Sequence, residues 1–159
     1  MSRCSTSKRV LAHWHGLSHD TLKINVWPLH RTFEFSDIRV RWNLDRDLLK
    51  YTPRFNIAPE TSPNIPVIIR QQGVNECRLM QWGLVPSWAK DPSIGNQMIN
   101  VRAESLLEKL TFEDLVRSRR CLIPADGFYE WRKEGRRKVP MWVHLKSKEP
   151  FAFAGLWDV

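Results

Sequence analysis

The sequence predicts an α+β domain built on a curved or barrel-like antiparallel sheet with a few short helices. Two observations carry this. Short β-rich runs recur at Ile65–Arg70, Arg78–Val85, Cys121–Trp131, Val139–Leu145 and Pro150–Trp157, separated by Pro, Gly and Asp-Gly punctuation. Helical patterning, by contrast, is confined to brief stretches, and no internal repeat or low-complexity segment is present.

The elements follow in order. Residues 1–28 mix Ser, His and Trp without periodicity and are expected to be poorly structured and to stand outside the domain, which then occupies residues 29–159. Ser36-Asp37 can cap a short helix whose apolar positions are Ile38, Val40, Trp42 and Leu44, ahead of the break at Tyr51-Thr52-Pro53. Two strands come next, and Pro86-Ser87-Trp88 ends the second in a turn. Ala103–Leu110 and Thr111–Arg119 read as helical, with Leu106, Leu107 and Leu110 on one apolar face and Asp114 in an acidic first turn. A hairpin is expected around Lys133–Lys138, where Gly135 can turn the chain, followed by the last two strands. Phe151–Trp157 has the texture of a core strand, so its place at the end of the chain leads us to expect a sheet that is incomplete at the C-terminus.

Composition bounds the function. With 159 residues and 42% hydrophobic content, the chain can bury one core, not two. Its net charge of +8 is concentrated at Arg39–Arg41, Arg117–Arg120 and Arg132–Lys138, a balance that fits a polyanionic partner or a solvated basic face equally well. Cys4, Cys77 and Cys121 form no paired ligand motif, which argues for a reducing compartment. Cys4 with His13, His15 and His19 fits no standard metal spacing, so neither metal nor cofactor is expected. No apolar run reaches membrane-spanning length and no signal-peptide core opens the chain; a cytoplasmic, monomeric protein without membrane contact is expected.

One residue invites a chemical reading. Glu130 sits between Tyr129 and Trp131, just after Asp126-Gly127, in a run that otherwise reads as buried strand. Low dielectric there would raise its pKa toward the range useful for proton transfer.

Five segments together carry a specific resemblance: Tyr51–Pro59, Trp82–Ala89, Ile99–Glu104, Arg120–Trp131 and Phe151–Trp157. In this order they resemble the successive motifs of the SRAP family, the SOS response-associated peptidases or abasic-site processing proteins. The resemblance implies recognition of abasic sites in single-stranded DNA as part of the DNA-damage response. In the family an N-terminal cysteine then forms a covalent cross-link, its α-amine condensing with the sugar aldehyde and its thiol closing a thiazolidine. It further implies that Glu130 shuttles protons, that Asn100 positions the sugar, and that both act in catalysis. Arg102 would hold backbone phosphate through its guanidinium fork, Trp88 would lie against flanking bases, and Arg31 would join the nucleic-acid contacts. Asn56 and Pro59 would shape the pocket wall, whereas Trp42, Trp82, Trp131, Trp142 and Trp157 are assigned to packing.

The departures concern the chemistry. The family begins Met-Cys-Gly-Arg-Phe; the best counterpart here is Leu29–Phe33, in which Arg31 matches but Leu29 stands in place of the cysteine. Removing Met1 would expose Ser2, and Cys4 lacks a free α-amine. The family's His-Asp-Arg-Met-Pro motif is not reached by Val159, and whether the chain is enzymatically competent is left open. The expectations are a fragment carrying an intact half-site, or a shortened protein that binds DNA without covalent capture. A plain single-stranded nucleic-acid-binding or interaction module is the alternative from another class.

Overall fold

The structure is a computed structural model, and it describes residues 9–13, 29–45, 54–57, 64–85, 89–101, 106 and 110–158. Strands β1 (Arg9–His13), β2 (Leu29–Arg31), β3 (Arg54–Ile57), β4 (Asn64–Gln71), β5 (Val74–Trp82), β6 (Arg120–Ala125), β7 (Gly127–Glu134), β8 (Arg137–Val143) and β9 (Phe151–Asp158) make two sheets. Helix α1 spans Phe35–Arg41, a 3-10 turn spans Pro92–Asn96, and helix α2 spans Leu110–Ser118. The order β1-β5-β4-β6-β9 closes on itself as a barrel, and β3-β2-β7-β8 forms a four-stranded sheet beside it. The α+β reading with a barrel-like, mainly antiparallel sheet and short helices holds; the one parallel pairing among the described strands joins β1 to β5.

The barrel is legible in its residues. In β4, Ile65, Val67, Ile68 and Ile69 are all buried, because both faces of the strand are covered. Ile65, Val67 and Ile69 join Met80, Trp82, Cys121, Ile123, Phe153 and Trp157 in one core, while Ile68 packs with Phe33, Ile38, Leu44 and Cys77 beneath α1. Gln72-Gly73, with φ 51° and 83°, turns β4 into β5 in the doubly left-handed geometry that suits a tight hairpin. Gly135, at φ 59°, does the corresponding work between β7 and β8.

Four expectations change. Arg9–His13 lies in the stretch expected to be irregular, yet it pairs with β9 along five residues, Arg9↔Asp158 through His13↔Ala154. The edge of β9 that the sequence leaves bare is therefore covered, with β6 on its other side. Next, α1 starts one residue before Ser36, and its first turn is closed by Asp37 accepting from the Glu34 N–H at 3.0 Å. The run Cys121–Trp131, expected as one strand, is divided at Asp126-Gly127, a corner at which the chain leaves the barrel on β6 and enters the second sheet on β7. Finally, Trp131 is 49% exposed and does not pack in the core, unlike Trp82 at 2% and Trp157 at 7%.

Candidate functional site

The site is organised by the corner. A Cβ on Gly127 would lie 2.6 Å from the Trp142 ring, so only glycine lets β8 close over the start of β7. Trp142 then meets Tyr129 edge-on at 5.4 Å on that outer face. On the opposite face, Phe128 enters the barrel core and meets Phe153 edge-on at 5.7 Å. Side chains alternate along a strand, so Glu130 follows Phe128 on the core side, away from the two aromatics that flank it in sequence.

Its surroundings hold its pKa up. Burial raises the carboxyl above the ordinary value, and a hydrogen bond involving the Trp131 backbone acts more weakly in the other direction. Glu130 Oε2 is buried and meets no hydrogen-bond partner among the described residues.

Asn100 reaches the same core from another side. Gly83, at φ 103°, carries the chain off β5 so closely past Gly95 that a Cβ would lie 2.3 Å from the Gly95 carbonyl oxygen. Leu84 N–H then donates to the Met98 carbonyl at 2.9 Å, and Trp82 Nε1 donates to the Ile99 carbonyl at 3.1 Å. Ile99 packs against the core cluster that contains Phe128. Asn100 comes next, and both its Oδ1 and its Nδ2 are buried without a partner among the described residues. A buried amide that satisfies neither end is uncommon, because each unmade hydrogen bond costs about 1–3 kcal/mol. Asn100 follows Ile99 and Glu130 lies two residues beyond Phe128, both of which pack in one core cluster. Asn100 and Glu130 each carry buried polar atoms without a partner among the described residues that a polar ligand can complete.

The remaining sequence-derived residues fall differently. Leu29 and His30 in β2 pair with Phe128 and Gly127, at the start of the strand that carries Glu130. Arg31 is 2% exposed and close enough to Cys77 for its charge to pull that thiol's pKa down against the larger effect of burial. Its guanidinium therefore sits inside the fold and not on the outer surface. Asn56 lies in β3, and Trp88, Arg102 and Pro59 lie outside the described residues.

Sequence reasoning missed the tie between Thr32 and Asp126. Both the Thr32 N–H and its hydroxyl donate to Asp126 Oδ2, each at 2.6 Å. The available signal was an Asp at a sheet corner, where a carboxylate is free to accept from a second segment.

Comparison with known proteins identifies the family. Residues 29–159 match the family model for SOS response associated peptidase (SRAP). The abasic site processing protein YoqW of Bacillus subtilis is 48% identical over 128 residues, covering 79% of this chain and 56% of that protein. The abasic site processing protein HMCES of Xenopus tropicalis is 30% identical over 113 residues, covering 64% and 33%. A crystal structure of a Bacteroides thetaiotaomicron protein superposes with a TM-score of 0.63 at 26% identity, covering 80% of this chain and 59% of that one. The chain thus spans about half the length of the Bacillus relatives it matches. With the family model covering more than four-fifths of its length, the chain belongs to the SOS response associated peptidase family.

Proposed function

We propose that this chain recognises abasic sites in single-stranded DNA, with the opened sugar held between Asn100 and Glu130. The observation that carries this reading is the pair of buried, unsatisfied polar groups, Asn100 Oδ1 and Nδ2 and Glu130 Oε2. A ring-opened abasic sugar offers hydroxyls and an aldehyde to such groups, and an intact nucleotide offers fewer. The relatives' designation as abasic site processing proteins supports the same substrate.

In the chemistry this family implies, an amine adds to the aldehyde and the carbinolamine then loses water to give an imine. The proton that leaves the amine and the proton that the departing hydroxyl needs are both work for one carboxyl whose pKa is raised. Glu130 is such a group. Asn100 can donate from Nδ2 and accept at Oδ1, which fixes a sugar hydroxyl without competing for that proton.

A second reading has its own observation. Leu29 stands where the family has its nucleophilic cysteine, so that position carries no thiol. On this reading the chain binds the lesion without covalent capture, as a cytoplasmic monomer.

The test compares binding of an abasic oligonucleotide with its intact counterpart. The wild-type chain should prefer the lesion, and Asn100→Ala should remove most of that preference while still folding cooperatively. Equal affinity for the two oligonucleotides in the wild-type chain would sink the proposal. Denaturing electrophoresis after incubation separates the readings, since only covalent capture leaves a shifted band.

A further inference from the structure

The register of β7 and β8 sorts the residues of their hairpin onto two unlike faces. Phe128↔Val143, Glu130↔Met141, Arg132↔Val139 and Glu134↔Arg137 share one face. Tyr129↔Trp142, Trp131↔Pro140 and Lys133↔Lys138 share the other. On the first, Arg132 is ion-paired with Glu134, so its charge is partly answered within the hairpin. On the second, two exposed lysines stand directly opposite each other, the face holds no carboxylate, and neither lysine has an ion pair among the described residues.

Like charges in cross-strand register repel. Edge protection accounts for Lys138, since β8 is the last strand of its sheet. It can also account for Lys133, since β2 pairs with β7 only at Gly127 and Phe128 and the hairpin beyond is two-stranded. It does not account for an indole 49% exposed beside that lysine, nor for two lysines placed directly opposite each other. Trp131 and Lys133 are alternate residues, about 6.8 Å apart along the strand. With Pro140 opposite, the indole forms a flat apolar platform next to a concentrated positive charge.

We propose that this outer face of the β7–β8 hairpin is a second contact for single-stranded nucleic acid, with phosphates at Lys133 and Lys138 and a base stacked on Trp131. Charge complementarity selects a polyanion, and the exposed aromatic selects one that carries bases. The face lies on the opposite side of β7 from Glu130 and holds the strand irrespective of a lesion. It rests on the reading of the chain as a DNA-binding protein but not on the pocket between Asn100 and Glu130.

The experiment measures fluorescence anisotropy of a labelled single-stranded oligonucleotide, intact and with one abasic site, over a range of salt. Lys133→Gln with Lys138→Gln should weaken both complexes by the same factor and lower the salt slope by about 1.4, since each phosphate that a single strand no longer has neutralised takes away roughly 0.7. Trp131→Ala should cost at least about fivefold on both oligonucleotides. Lys133→Arg with Lys138→Arg should restore affinity. Thermal melting confirms that the variants fold.

Affinity within twofold of the parent for both the Gln and the Ala variants overturns the proposal. So does competition by polyglutamate as effective as that by the oligonucleotide together with an unaffected Trp131→Ala, which would mark an acidic polypeptide face. The ratio of abasic to intact affinity reports on the pocket alone. A parent protein that binds both oligonucleotides equally, yet loses both in these variants, sinks the pocket reading and supports this one. A parent that binds neither sinks both.

Discussion

Thr32 and Asp126 are joined by two hydrogen bonds to a single oxygen: the Thr32 N–H and hydroxyl both donate to Asp126 Oδ2 at 2.6 Å, across 94 positions of sequence. The tie fastens the end of β2 to the corner from which β7 departs. It therefore links Leu29–Phe33 to the start of the strand bearing Glu130. Both bonds are charge-assisted but exposed, so we expect Asp126→Ala to destabilise the fold by about 1–2 kcal/mol. Urea denaturation of Thr32→Val, Asp126→Ala and the double variant should show a coupling near ~1 kcal/mol. Strictly additive losses would mean that the bonds contribute nothing jointly.

Gly83 is the second point at which the site's geometry depends on a single residue. Its φ of 103° leaves a side chain strained, and the Gly95 carbonyl oxygen, 2.3 Å from where a Cβ would sit, leaves it no room. Gly83→Ala should cost about 2–4 kcal/mol, combining left-handed strain with displacement of the segment that leads to Asn100. Gly73→Ala makes the control: it shares a positive φ, 83°, but has open space around it, so about 1 kcal/mol is expected. Similar losses in chemical denaturation would show that the Gly95 contact is soft.

How legible this molecule is depends on which force shapes each part. β4 can be read because burial on both faces demands a continuous β-branched run. The β7–β8 hairpin can be read because glycine marks its turn. β1 cannot, since Arg9–His13 joins β9 and β5 through backbone hydrogen bonds that impose no side-chain pattern, and both partners are remote in sequence. β2 and β3, at three and four residues, are too short for alternation to register. Within the site, motif resemblance names Asn100 and Glu130, but only the fold shows that their neighbours Ile99 and Phe128 pack in one core cluster. Arg31 shows the limit of residue type as a guide: an arginine reads as surface, and this one is buried beside Cys77.

The two described cysteines should be chemically silent in the folded protein. Cys77 is fully buried and its thiol is pushed up to about 12, mainly by burial. Cys121 is 6% exposed and burial raises its thiol as well. Neither yields thiolate near neutral pH, and the thiolate is the reactive form. Iodoacetamide at pH 8 followed by peptide mass spectrometry should leave both unlabelled until denaturant is added. Rapid native labelling of Cys77 would show that Arg31 outweighs burial at that thiol.

Glu130 makes stability depend on pH with a sign opposite to that of most carboxylates. Its pKa in the folded chain is raised, whereas in the unfolded chain it takes the ordinary value, so between the two the folded state holds more protons. Stability from this group is then fully present below the unfolded pKa and is lost as pH rises through the folded one. A salt-bridged Asp or Glu behaves in the reverse sense. Glu130→Gln keeps the shape and removes the charge, so it should melt at a higher temperature than the wild type at pH 7–8, the difference closing as pH falls toward the ordinary carboxylate range near ~4. Asn100→Ala, which removes no titrating group, should shift the melting temperature by the same amount at every pH. Parallel melting curves for wild type and Glu130→Gln from pH 4 to 8 would mean that the carboxyl titrates as in water. The proton-shuttling role would then lose its physical basis. If the gap opens as expected, the same variant should retain binding to an abasic oligonucleotide but lose any dependence of imine formation on pH, read by borohydride trapping, because the carboxyl proposed to donate and accept the proton is gone.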